Sequence, residues 1–314
     1  MTSLDSQQQA LLNRQALDCA REYRQSIAWP TVLLGLVSFT GYWALLFLVM
    51  FKQLSLLLAV PVMGLLIYAA YTVLHEAVHY SISGNIKSLR WLNDGMGYLA
   101  ATILLTGLVA HRYEHLKHHR NANNGDNDPD QYSVHIVSSL GSMLKSCWSA
   151  IATQYTTYMA DRWDHAPARE NLIMVLEIAM AVGLRALAFA LLFTYGDPSI
   201  QGRWVEGLIA LVASGFVGTF ILVYLFAYIV HRPHQATERY LNTSIILVPG
   251  PLSRLVSLIW GYQNYHAIHH LFPWVPFYHY PQLFERIRPV METMDAPIYR
   301  LSWRGLRAIL PPEK

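Results

Sequence analysis

Eight of the chain's fourteen histidines stand in three short clusters: His75 and His79 in HEAVH, His115, His118 and His119 in HLKHH, and His266, His269 and His270 in HAIHH. A ninth, His231, stands apart in HRPHQ. Residues three and four apart share a helix face, so His75 with His79, His115 with His119 and His266 with His270 each aim two imidazoles in one direction. Adjacent histidines such as His118 and His119 diverge by roughly a quarter turn, and one HxxHH cluster can therefore serve two metal ions lying side by side. Neutral imidazole suits iron, copper, nickel and zinc. Eight or nine such ligands exceed the four positions of a tetrahedral zinc site, and two metal ions account for them best.

The elements that must carry these clusters are membrane helices. The chain is 54% hydrophobic and 14% charged, against about 25% charged residues in a typical soluble domain, and its mean hydropathy is positive. Four apolar stretches, 27–50, 54–74, 172–193 and 208–230, reach the ~20 residues that span a bilayer. The polar first 26 residues lack the short apolar core of a cleavable signal, so the first span is expected to stay as an anchor. A fifth stretch, 92–110, opens with Asp94, Gly95 and Gly97 and runs directly into His111. Were it to cross, ~30 Å of hydrocarbon would separate the first cluster from the second. It is therefore read as interfacial or re-entrant, which leaves every histidine cluster at one membrane face. The expected fold is all-α: a single polytopic membrane domain over residues 1–314, with four transmembrane helices, interfacial helices and a cytoplasmic histidine-rich cap.

Charge supports that orientation. Twenty of the 23 Lys and Arg lie before the first span, between His75 and the third span, or after the fourth, while the opposite loops hold only Lys52 and Arg203. By the positive-inside tendency the histidines face the cytoplasm. Cys19 and Cys147 form neither a disulfide framework nor an iron–sulfur motif, which fits a reducing compartment. A net charge of +3 gives no case for nucleic acid as a partner. Residues 121–132 read as a polar loop rich in Asn, Asp and Gly, 133–166 as a segment able to hold interfacial helices, and 249–251 as a Pro/Gly break.

In this order and spacing the three boxes resemble the membrane fatty acid desaturase and hydroxylase superfamily, from about the second span to Arg288. HRPHQ at 231–235, NDPD at 127–130 and QNYHAIHHLFPWVP at 263–276 are similar to its bacterial carotenoid hydroxylase and ketolase branch. The resemblance implies two irons, with O2 as co-substrate, held by His75, His79, His115, His118, His119, His266, His269 and His270, with His231 at the supplementary position near the end of the fourth span. His111, one turn before His115, and His234 are further candidates. Asp128 and Asp130 would orient ligand imidazoles from behind, as metal-bound histidines usually require. Such a centre would use O2 to take hydrogen from an unactivated C–H bond of a lipid, leaving a double bond or an alcohol. The chain has no clear dinucleotide or flavin fingerprint, so electrons are expected from a separate ferredoxin, rubredoxin or cytochrome. The setting implied is a bacterial inner membrane.

Several readings compete. The first expectation is a fatty-acyl desaturase or hydroxylase; the alternatives are a carotenoid ring hydroxylase or ketolase, and a decarboxylase that converts a fatty acid to a terminal alkene. HEAVH also satisfies HExxH, in which two histidines bind zinc and the glutamate is the general base of a metalloprotease; that reading leaves at least six clustered histidines unexplained. A metal transporter or haem protein would distribute its histidines through the membrane depth. His135, His165 and His279 read as surface residues, the Tyr and Trp of the C-terminal region as an interfacial belt, and Glu177 and Arg185 as buried structural charges within the third span.

Overall fold

The computed structural model describes residues 5–232 and 235–310; His234 lies outside them. The chain opens with an amphipathic helix, α1 (Ser6–Arg21), closed at its start by a reciprocal capping box between Asp5 and Gln8. Two long apolar helices follow, α2 (Trp29–Lys52) and α3 (Leu56–Val78). Gln53, in the left-handed conformation, ends α2, and the Ser55 side chain accepts from Leu57 N–H to start α3. So short a connection makes the two antiparallel.

Next come α4 (Arg90–Leu104), α5 (Leu108–Asn121), α6 (Leu140–Asp161) and α7 (Ala168–Tyr195). The last long apolar unit is composite: α8 (Pro198–Gln201), α9 (Trp204–Leu222), a π-helical turn at Val223–Tyr228 and α10 (Ile229–His231). Four units are long and apolar enough to cross a membrane, Trp29–Lys52, Leu56–Val78, Ala168–Tyr195 and Pro198–His231, and each overlaps one expected span. α3 is the central helix, with half of its apolar window buried against only 17% for α7. It crosses α9 at a pair of glycines: a Cβ on Gly218 would stand 2.8 Å from the Gly64 carbonyl oxygen and 2.6 Å from Ile67 Cβ. Small residues at such crossings let membrane helices approach closely.

The stretch 92–110 is two helices, α4 and α5, meeting at 97°. Two charges of α7 stabilise the break. Arg185 donates to the carbonyls of Thr102 (2.7 Å) and Ile103 (2.8 Å) at the end of α4, while Glu177 accepts from the Leu108 (2.6 Å) and Val109 (3.2 Å) amides at the start of α5. A cation at a helix C-terminus and an anion at an N-terminus both complement the helix dipole and satisfy groups the helix leaves unpaired. Tyr155 completes the joint, accepting from Gly107 N–H and donating to the Leu105 carbonyl. The two intramembrane charges are thus structural, and each pairs with the broken helix rather than with the other.

Beyond the bundle lie α11 (Ser253–Ile259), α12 (His266–Leu271) and α13 (Tyr280–Thr293). α6 exposes Leu140, Leu144 and Trp148 at four-residue spacing, and α11 exposes Leu255, Leu258 and Ile259, the pattern of helices lying in a membrane interface. α1 buries Ala16 and Ala20 in a cluster with Leu283, Phe284 and Ile287 of α13, and Glu22 pairs with Arg286 (3.0 Å). The all-α expectation describes the membrane part but omits a small sheet. Its strand β1 (Ile245–Leu247) runs parallel to β2 (Ile298–Ser302), which turns back antiparallel into β3 (Gly305–Leu310). β1 is only three residues long and its partner lies some fifty residues onward, so no local alternation reveals it.

Candidate metal centre

The first cluster lies where α3 leaves the bundle, with every residue from Ala70 to Val78 buried. α5 brings the second, α10 brings His231, and α12 brings the third. Across these four elements, ligand-type nitrogens of His75, His79, His115, His119 and His269 all lie within 4.8 Å of one another, and those of His118, His231 and His270 form a second such group. The two groups touch: His119 stacks on His270 with ring centroids 4.4 Å apart. Adjacent histidines of HLKHH and HAIHH therefore divide between the groups.

The nitrogens fit a metal better than they fit each other. His119 Nε2 stands 3.0 Å from His115 Nε2 and 2.9 Å from His269 Nε2. Metal–imidazole bonds of about 2.1 Å at 90–109° would separate two nitrogens on one ion by roughly 3.0–3.4 Å. Both ring nitrogens of His75, and Nε2 of His79 and of His270, are buried without a hydrogen-bond partner among the described residues, an arrangement that costs free energy unless something ligates them. Burial, reinforced by the other histidines, holds His115, His119, His266, His269 and His270 well below the usual imidazole range, so each presents a neutral ring with a free lone pair.

Three rings are turned by partners on their outer nitrogen. His118 Nδ1 lies 2.7 Å from Asp128 Oδ1, and Asp128 is itself held by the Asp130 (3.0 Å) and Asn123 (2.8 Å) amides. Asp130 is further off, 3.6 Å from the same nitrogen. Burial lowers the affinity of His118 for a proton, yet the Asp130 and Asp128 carboxylates outweigh it and push this imidazole up to about 9; carboxylates in this position make a ligand more basic. His266 Nδ1 bonds Gln263 Oε1 (2.8 Å) and His269 Nδ1 bonds Tyr280 Oη (3.1 Å). An Nδ1–H donated to Gln263 leaves Nε2 as the lone-pair nitrogen of His266, whose ring lies beside His231 and His270 at 5.1 and 4.8 Å.

Gln263 and Tyr280 escape sequence reasoning, although Gln263 precedes His266 by one helical turn. Phe226 escapes it as well. The π-helical turn places its ring 4.6 Å from His75 and 5.5 Å from His266, and single π turns recur at functional sites. His111 belongs to neither nitrogen group; it faces Glu114 (3.5 Å) and Tyr71. His135 and His165 are exposed, as expected for surface residues, and half-buried His279 meets Gln25 at 3.3 Å. Glu76 turns away from the histidines, accepting from Ser81 Oγ (2.7 Å) and, at 3.4 Å, from Phe277 N–H, so it is not placed as the general base of a zinc protease. A polar cavity of about 690 Å³ reaches His118 and His231 past Asp128, Tyr228 and Arg232.

The family model for fatty acid desaturases matches residues 52–302. Among curated relatives, the chain is 24% identical over 284 residues to a Delta(9) fatty acid conjugase-like enzyme of Dimorphotheca sinuata, covering 75% of this chain and 70% of that protein. It is 22% identical to an endoplasmic-reticulum omega-6 fatty acid desaturase of Glycine max, covering 79% and 70%. A ferredoxin-type sn-1 acyl-lipid omega-3 desaturase of Nostoc sp. is also 22% identical, with 77% and 71% covered. These relatives lend no support to the carotenoid, decarboxylase or protease alternatives. With four long apolar helices, two groups of converging histidine nitrogens and a match over most of its length, this chain belongs to the fatty acid desaturase family and is an integral membrane oxidoreductase.

Proposed function

We propose that the chain is an O2-dependent di-iron fatty-acyl desaturase of a bacterial inner membrane, with its histidine boxes on the cytoplasmic face. One iron would be held by His75, His79, His115, His119 and His269, and the other by His118, His231 and His270 with His266. The observation that carries this reading is the convergence of two buried, touching groups of histidine nitrogens, with few carboxylates among them. Two irons held there would supply the O2 chemistry that removes two hydrogens from adjacent acyl carbons, while two electrons and two protons complete reduction of O2 to water.

Burial keeps His115, His119, His266, His269 and His270 neutral, and the chain's own side chains aim the rings. Asp128, Gln263 and Tyr280 fix three rings; Phe226 closes the apolar side of His75. The bend between α4 and α5 supports reading 92–110 as re-entrant, which keeps all the boxes on one side, and residues 1–314 as one membrane domain. Electrons would come from a ferredoxin-type donor, as the Nostoc relative's name indicates for that protein, docked on the histidine face that carries most of the Lys and Arg.

The test is expression in a host with defined lipids, followed by mass spectrometry of its fatty acids and metal analysis of the purified chain. About two irons per chain and acyl products two mass units lighter support the reading; products one oxygen heavier would make it a hydroxylase, and one zinc with unchanged lipids would overturn it. Two substitutions sharpen the test. Asp128→Asn keeps a hydrogen-bonding side chain but removes the charge behind His118, and is expected to lower iron affinity 10- to 100-fold, measured by chelator competition. Glu76→Gln is expected to retain desaturation, because the side chain faces Ser81 and Phe277; complete loss of activity with iron still bound would contradict that placement.

A further inference from the structure

We propose that a cavity behind α5 binds the headgroup of an anionic phospholipid, at a place separate from the histidine centre. The cavity, about 650 Å³, opens between α4, α5 and the first turns of α7. α5 presents Val109, Arg112, Leu116 and Arg120 to it, residues spaced three and four apart on one helix stripe, and no histidine lines it. A group bound here would meet arginines, tyrosines and apolar side chains rather than the histidine rings.

The charge balance selects the ligand. Of four arginines around the cavity, Arg112 pairs with Asp94 (2.7 Å) and Arg162 with Glu170 (3.1 Å). Arg120 and Arg169 have no ion-pair or hydrogen-bond partner among the described residues, and both are exposed. The two carboxylates lining the cavity are thus already matched, and two guanidinium groups remain to meet an anion; arginine forks suit phosphate oxygens.

The membrane supplies that anion. The cavity adjoins the start of α7, one of the four apolar units, whose next residues Leu172, Val175 and Leu176 are exposed. Acyl tails can run along them while the headgroup enters the cavity. Basic pockets between membrane helices at an interface recurrently hold anionic headgroups.

The experiment uses the full-length protein, delipidated in non-ionic detergent, with lipid occupancy counted by native mass spectrometry. Dioleoylphosphatidylglycerol is expected to bind at one site at least tenfold more tightly than dioleoylphosphatidylcholine. Arg120→Gln/Arg169→Gln should lose that preference, and Arg120→Lys/Arg169→Lys should keep most of it. Inorganic phosphate at millimolar concentration should compete only weakly. Equal binding of the two lipids, an unchanged preference in the glutamine variant, or full displacement by inorganic phosphate overturns the proposal. Melting temperature without added lipid establishes that the variants are folded, and the single Arg169→Gln serves if the double variant is not.

Discussion

Replacing His119 with alanine is expected to abolish desaturation and to strip iron from the chain. This ring is the hinge between the two nitrogen groups: its Nε2 lies about as close to His115 and His269 as two nitrogens on one ion, and its face stacks on His270. With the ligand set proposed above, removing it would delete a ligand from one group and the packing that positions a ligand of the other. Even residues that only orient ligands carry 10- to 100-fold of metal affinity, so a loss beyond a hundredfold in activity is expected here, with iron falling below one per chain. The control is His111→Ala. His111 is on the same helix one turn before His115 but belongs to neither group, so most iron and activity should remain. If metal analysis and product assays show His119→Ala unimpaired, or the two variants equally impaired, the assignment of ligands is wrong.

The second large effect is expected outside the histidine groups, at the break between α4 and α5. Glu177→Ala removes the acceptor for the Leu108 and Val109 amides and leaves both without that partner in a buried joint. An unmet buried donor costs about 1–3 kcal/mol, so a loss of roughly 2–4 kcal/mol is anticipated, seen as a fall of several degrees in melting temperature. Because α5 carries His115, His118 and His119, the loss should extend to metal content. Glu177→Gln can still accept one of the two bonds and should recover part of both. An alanine variant with unchanged melting temperature and iron would show that the joint is held by Tyr155 and Arg185 alone.

What could be read in the chain itself follows from the range of the interactions involved. Apolar length along a single helix is a local property, and the four long units overlap the four stretches expected. The pairing of His75 with His79 or His115 with His119 is equally local, being set by helical periodicity. The resemblance of the ordered boxes to one superfamily is likewise carried by contiguous residues, and the family match, over residues 52–302, contains all three boxes. Glu177 and Arg185 were legible as buried structural charges, because hydrocarbon tolerates a charge only with a partner, but their partners lie some seventy to eighty residues away.

The chain by itself determined that helices would be apolar over bilayer length and that imidazoles would stand on shared faces, because both depend on neighbours within a turn or two. Only the tertiary structure decided how those imidazoles divide, five nitrogens in one group and three in the other, because membership depends on the relative rotation of α3, α5, α10 and α12. It alone brought Gln263 and Tyr280 behind their rings, set Phe226 against His75 through a π turn that no local spacing announces, and folded β1 against β2 across some fifty residues. These contacts are fixed by packing between distant segments, and no periodicity within any one of them encodes the outcome.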